Sequence, residues 1–176
     1  MSLFFEALRR EVAELHRNNV RLRFIGALDQ LSDGLQAKMA AAVEKTAQNT
    51  GLILNIAVAY GGRWDIANAA RTLARKAVAG EIDADAIDAD LLSGELQLAG
   101  LPDPDLLIRT SGELRVSNFL LWQIAYSEIY FCPPLWPDFS QIDLFEALLE
   151  YQRRERRFGG LKTEGGVFSP PGTARA

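Results

Sequence analysis

Residues 51–65 read GLILNIAVAYGGRWD, and this order decides the fold class. Leu52 to Ala57 is a nearly continuous apolar run. Asn49-Thr50-Gly51 turns the chain before it, and Tyr60-Gly61-Gly62 turns it again behind. An apolar run of strand length between turn residues is expected to be a strand buried on both faces, as in parallel sheets. A helix from about Trp64 to Val78 follows the glycine turn.

The pattern extends outward in both directions. Phe4, Leu8, Val12 and Leu15 recur at helical spacing and predict a helix over residues 3–18. Val20 to Ile25 alternates and reads as a strand that stops at Gly26. Ser32 is placed to cap a second helix running to about Gln48. Asp83 to Leu92 predicts a short acidic helix. Beyond it come a strand at Leu106–Ile108, a helix over 118–125, a strand at Glu128–Phe131 and a last helix through Ile142, Phe145, Leu148 and Leu149. Strands that alternate with helices make an α/β protein with a mainly parallel sheet flanked by helices. Residues 1–160 form the domain, and the Gly/Pro/Thr-rich residues 161–176 are expected to be a disordered tail.

Composition narrows the function. The chain has 176 residues and a net charge of −4, which argues against a general nucleic-acid binder. Its single cysteine, Cys132, excludes an internal disulfide and suits a reducing compartment. One histidine and one cysteine cannot make a zinc site of ordinary spacing. His16 reads as a residue of a helix C-terminus. No apolar run approaches the roughly 20 residues of a membrane span.

The residues from Asp105 to Tyr130 carry the chemistry. Arg109 stands at the carboxyl end of a strand, where open α/β sheets bind ligands. Arg115 and Ser117 follow across a loop that Gly112 can tighten. Two guanidinium forks, a hydroxyl that caps the next helix, and that helix's free N–H groups would suit a diphosphate. The plainer alternative makes Ser117 an N-cap only and the arginines surface ion-pair partners. Glu128 reads as a Mg²⁺ ligand beside that pocket or as a strand-edge acid. Tyr60 to Asp65 reads as a backbone wall of the same pocket or as a simple glycine turn. Arg153, Arg154, Arg156 and Arg157 suit a helix C-terminus.

Five stretches resemble the cis-prenyltransferase family. They are Ile108–Glu113, Arg115–Gln123, Tyr126–Glu128, Trp136–Phe139 and Arg156–Gly160, with Leu54–Ala57 and Tyr60–Arg63 in keeping. The resemblance implies condensation of isopentenyl diphosphate with an allylic diphosphate of farnesyl type, giving a cis-polyprenyl diphosphate lipid carrier. It implies that Arg109, Arg115, Val116 and Ser117 bind isopentenyl diphosphate, and that Glu128 belongs to a Mg²⁺ site. It implies that Arg157 and Gly159 act across a homodimer interface. It also implies a cytoplasmic enzyme with peripheral contact at the inner face of the plasma membrane, and no nucleic-acid partner. The family's Asp-Gly-Asn-Gly-Arg motif, whose Asp binds Mg²⁺, has no match in this sequence. The expectation is therefore the C-terminal two-thirds of such a domain, without a catalytic Asp and inactive alone. The alternatives are a non-catalytic partner subunit of a heteromeric enzyme and a simple phosphate-binding module.

Overall fold

The computed structural model describes residues 2–154, with side chains from Arg10 onward. The elements are α1 (Ser2–Arg17), β1 (Arg21–Ile25), α2 (Asp33–Thr46), β2 (Ile53–Ala57), α3 (Gly62–Val78), α4 (Ala89–Gly94), β3 (Leu106–Arg109), β4 (Glu128–Phe131) and α5 (Gln141–Arg153). They gather into two compact units. The first holds the residues up to Asp105 together with Arg115–Ser127. The second holds Leu106–Leu114 and the residues from Glu128 onward.

In the first unit β1 and β2 pair in parallel, in register from Arg21 opposite Ile53 to Ile25 opposite Ala57. Facing pairs on a parallel ladder share a sheet face. Leu22 opposite Leu54 and Phe24 opposite Ile56 therefore present one apolar surface. It packs with Val12 of α1 and with Leu35, Met39 and Ala42 of α2. Leu22 is wholly buried and is the centre of this core. Thr46, also wholly buried, closes α2 onto the ladder. Its hydroxyl accepts from the Leu22 N–H at 3.0 Å and donates to the Ala42 carbonyl at 3.1 Å. Asn49 donates to the Val20 carbonyl at 2.6 Å, so the turn before β2 is tied to the start of β1.

In the second unit β3 and β4 pair in parallel, from Leu106 opposite Glu128 to Arg109 opposite Phe131. Helix α5 starts on a capping box. Ser140 and Asp143 exchange side-chain and backbone bonds, and these bonds hold the Asp143 carboxyl below its ordinary range.

The parallel strands and their flanking helices agree with the α/β expectation. Four details differ. The four strands pair as two separate ladders of two strands. Strand β2 is not buried on both faces: Leu52 is 69% and Ile53 37% exposed. Among the described residues β2 has a hydrogen-bonded neighbour on one edge only, while Leu54 and Ile56 pack on the core and Leu52 and Ile53 stay exposed. The helix expected over 118–125 does not form, and residues 116–126 are turns. Ser117, Asn118 and Leu120 all have left-handed backbone, with φ of 48°, 63° and 45°. Residues there cannot continue a right-handed i→i+4 ladder. The segment instead bonds Phe119 N–H to Val116, Ile124 N–H to Leu120 and Ser127 N–H to Ile124. The expected acidic helix is a 3₁₀ turn at Ala84–Ala86 followed by α4.

Gly26, after β1, has φ of +122°, and a Cβ there would fall 1.9 Å from the Val58 carbonyl oxygen. Gly26→Ala is expected to destabilise the chain by at least about 1–3 kcal/mol from backbone strain alone. A urea midpoint equal to the parent's would contradict this placement of the turn.

Candidate functional site

The expected site residues fall in both units. Arg115, Val116 and Ser117 belong to the first, and Arg109 and Glu128 belong to the second.

Arg109 ends β3, as the sequence predicted. Its side chain is half-buried, and its Nε is fully buried with no hydrogen-bond partner among the described residues. A buried guanidinium N–H without an acceptor is costly, by about 1–3 kcal/mol or more. An anionic acceptor would complete it. The loop behind Arg109 is fixed by the chain itself. Ser111 N–H donates to the Pro134 carbonyl at 2.8 Å, and Gly112 N–H to the Cys132 carbonyl at 3.0 Å. Both residues are left-handed, with φ of 71° and 64°. These two amides hold the loop after β3 to the loop after β4, so they are spent before any ligand arrives.

Glu128 lies elsewhere on the ladder. It pairs with Leu106, three residues before Arg109. At about 3.3 Å per residue, the two positions are separated by roughly 10 Å along the strands. Glu128 thus opens β4 at the amino end of the ladder. Its carboxylate accepts from Arg154 Nη1 at 2.9 Å, and Arg154 also donates to the Ile129 carbonyl at 3.0 Å. Sequence reasoning placed Arg154 among the cations of a helix C-terminus. Nothing in a separation of 26 residues marks it as the partner of Glu128. Among the described residues no group of three or more His, Cys, Asp or Glu could hold a metal.

Arg115 and Ser117 are exposed and Val116 is half-buried. Ser117 caps no helix, because none begins there. Its neighbour Asn118 does the capping, and it caps α3. The Asn118 carbonyl accepts from Gly62 N–H at 2.6 Å, and its side-chain Oδ1 accepts from Arg63 N–H at 2.9 Å. Those are the first two N–H groups of α3, which have no partner inside the helix. The preceding residue, Gly61, offers no side chain to satisfy them. Small size at Gly61 and Gly62 allows the approach. A Cβ on Gly61 would meet Asn118 Nδ2 at 2.7 Å, and one on Gly62 would meet the Leu121 backbone N at 2.9 Å. Asn118 thus joins the Tyr60–Asp65 turn to the segment that carries Arg115 and Ser117. Sequence reasoning passed over Asn118. The available signal was an asparagine after a serine, the residue type most tolerant of left-handed backbone after glycine.

A second cluster anchors the same turn. Asp65 is 1% exposed, and its carboxylate accepts from the Tyr60 hydroxyl at 2.9 Å and from Gln97 N–H at 3.2 Å. Gln97 in turn bonds the Gly26 N–H and C=O. Tyr60 also meets Phe119 edge to face, with centroids 6.0 Å apart. Burial, then the bond to Asp65, then its charge, push the Tyr60 phenol above its ordinary range. Arg157 and Gly159 lie outside the described residues, as does the 161–176 tail.

Comparison with known proteins bears on this arrangement. A prenyltransferase family model, described as "Putative undecaprenyl diphosphate synthase", matches residues 1–159. The farnesyl-diphosphate-specific ditrans,polycis-undecaprenyl-diphosphate synthase of Vibrio cholerae is 52% identical over 159 residues, which are 90% of this chain and 64% of that protein. An isoprenyl transferase of Heliobacterium mobile is 50% identical over 160 residues, 91% of this chain and 62% of that one. The crystal structure of lavandulyl diphosphate synthase from Lavandula x intermedia, in complex with dimethylallyl diphosphate, superimposes with a TM-score of 0.87. It is 40% identical, with 90% of this chain and 69% of that one covered. This chain therefore spans slightly less than two thirds of the length of these two curated relatives.

The raised Tyr60 pKa stabilises the folded state below the phenol's unfolded value of about 10. That contribution is lost as pH rises through the higher folded value. Asp65→Asn removes the charge and keeps an acceptor, so Tyr60 should ionise at lower pH than in the parent. An ultraviolet titration that leaves every phenol where it was would show that Asp65 does not hold this proton.

Proposed function

The chain belongs to the undecaprenyl diphosphate synthase family of prenyltransferases, and on that premise we propose that it binds isopentenyl diphosphate for cis-prenyl transfer. The observation that carries the reading is Arg109, half-buried at the carboxyl end of a parallel strand, whose Nε has no acceptor among the described residues. By the family resemblance, Arg109, Arg115, Val116 and Ser117 are the residues proposed to bind the diphosphate. Held there, the isopentenyl alkene is positioned to attack the allylic carbon of a diphosphate such as farnesyl diphosphate: the new C–C bond forms as the allylic C–O bond breaks and diphosphate leaves, and the isopentenyl unit then loses a proton. Positioning two substrates and neutralising their phosphates are large contributions to such a rate.

The sequence also implies Mg²⁺. Of the expected ligands, Glu128 offers one carboxylate, now paired with Arg154. That fits Mg²⁺ as a single protein ligand, with substrate oxygens and water supplying the others. When bound, the ion would neutralise diphosphate charge.

The proposal includes a homodimer. On α5 only Ala147 is buried, while Ile142 is 69%, Phe145 51% and Leu149 52% exposed. An exposed apolar stripe of this kind marks an interaction surface, and a second copy is the partner proposed for it. No helix among the described residues is long and apolar enough to cross a membrane. Action in the cytoplasm, with contact at the membrane face that takes up the lipid product, is part of the proposal. No observation on the described residues favours the partner-subunit alternative, since Arg157 and Gly159 lie outside them.

Calorimetry tests the reading. Isopentenyl diphosphate should bind more tightly than inorganic diphosphate, and Arg109→Ala should weaken it about 10- to 100-fold, the range for a charge-assisted bond. Equal affinity for the two anions would mean a generic phosphate site. Light scattering should give twice the chain mass, falling to one with Ile142→Glu and Leu149→Glu together. A monomeric parent with a cooperative thermal transition would refute the dimer.

A further inference from the structure

The first unit carries an open groove of about 540 Å³ between β1 and α2, which the proposed chemistry does not use. Phe24, Leu28, Met39 and Val43 give it apolar walls, and Arg23 and Gln36 are its polar residues. Gln36 is held in place, since its Nε2 donates to the Leu31 carbonyl at 2.7 Å. Arg23 is half-buried, and its guanidinium makes no hydrogen bond or ion pair among the described residues. It is also the one formal charge on the lining. The backbone adds a second donor. Arg21 N–H donates to the Leu52 carbonyl, so alternate residues of β1 bond to β2 and those between them face outward. Of the outward pair, Leu22 N–H is taken by Thr46 Oγ at 3.0 Å. Phe24 N–H meets no acceptor among the described residues.

We propose that this groove binds a free single-chain amphiphile of the fatty-acid class, its chain on the apolar walls and its carboxylate on Arg23. Size, charge and edge geometry each constrain the ligand. A volume of about 540 Å³ with apolar walls and few polar groups is ordinary for a small-molecule pocket. A guanidinium without a partner favours an anion, and no acid on the lining favours a cation. One guanidinium and one amide suit the single charge of a carboxylate. A diphosphate needs more donors than the groove offers. A docked peptide strand is disfavoured, because Thr46 and Asn49 already bond the edge groups at Leu22 and Val20. Only a short stretch of β1 edge is left open, too short for a ladder.

The location gives the ligand a consequence. Met39 belongs to the core of the first unit, where it packs with Leu22 and Leu35. An occupant extends that core outward across the gap between α2 and the strand edge. Binding to the folded chain therefore stabilises the first unit. None of Arg109, Arg115, Val116 and Ser117 lines the groove, so the amphiphile is a stabilising ligand and not a substrate.

The test uses the full chain with labelled methionine methyls and arginine Nε, followed by nuclear magnetic resonance. Met1 is the only other methionine, so the Met39 signal is readily assigned. The Arg23 signal is the one that Arg23→Gln removes. Three probes, all below their micelle concentrations, separate the arguments: octanoate; butyrate, with the same head on a shorter chain; and octylammonium, with the same chain and opposite charge. Octanoate should shift both signals saturably. Each buried methylene is worth about fourfold in affinity, so butyrate should bind at least about tenfold more weakly. Octylammonium, which cannot accept from Arg23, should also bind about tenfold more weakly. Arg23→Gln, a change at a half-buried strand-edge residue, should erase the preference of octanoate over octylammonium at the Met39 methyl. The proposal is overturned by no saturable shift with octanoate, by butyrate or octylammonium binding as tightly, or by an anion preference kept in Arg23→Gln. None of these outcomes bears on isopentenyl diphosphate, which is measured separately.

Discussion

Two hydrogen bonds that Asn118 accepts from the first amides of α3 set the geometry on which the rest of the first unit's candidate site depends. They act at a helix end that has no cap of its own. Gly61 stands at the N-cap position and has no side chain to offer. A bulkier residue at 61 or 62 would collide with the segment that supplies the cap. The glycines are therefore required twice, for the turn after β2 and for the approach of Asn118. The same contact explains the loss of the expected helix over 118–125. Asn118 reaches α3 from left-handed backbone, and left-handed residues on either side of Phe119 prevent a regular helix from starting.

Buried charge and buried apolar surface divide the work around this contact. Asp65 is almost fully buried and has the Tyr60 hydroxyl and the Gln97 amide as donors. Gln97 carries the link to Gly26 at the end of β1. The turns that follow both strands of the first ladder are thus joined through polar groups with satisfied bonds. Below them, Leu22 and its neighbours provide the apolar core. In the second unit the comparable closure uses backbone only, with Ser111 and Gly112 bonded to carbonyls beyond β4. That leaves the Arg109 guanidinium, and not the loop amides, as the group with an unmet need for an acceptor.

Much of this was legible in the sequence, and the exceptions have physical reasons. Helices α1, α2, α3 and α5 and the four strands follow from apolar spacing and from glycine punctuation, which act over a few residues. Arg109 at a strand end was legible for the same reason. Partners far apart in the chain were not. Glu128 pairs with Arg154, and Asn118 with Arg63, across separations of 26 and 55 residues that leave no local trace. Burial of β2 was misread because an apolar run reports what a strand can cover, not which neighbours it has. The helix over 118–125 was misread because Phe119 to Trp122 has helical composition, and one asparagine's tertiary bonds outweigh that weak preference.

Amide hydrogen exchange at Gly62 and Arg63 is the most direct measure of the Asn118 contact. In the parent chain both amides should be protected as strongly as the interior of α3. In Asn118→Ala the Arg63 amide should lose about fivefold or more of that protection, in keeping with the roughly 1 kcal/mol or more of a lost cap. Residues 116–126 should loosen with it. Parent amides that exchange freely, or protection unchanged in the variant, would contradict the claim that Asn118 holds the segment carrying Arg115 to Ser117 on α3.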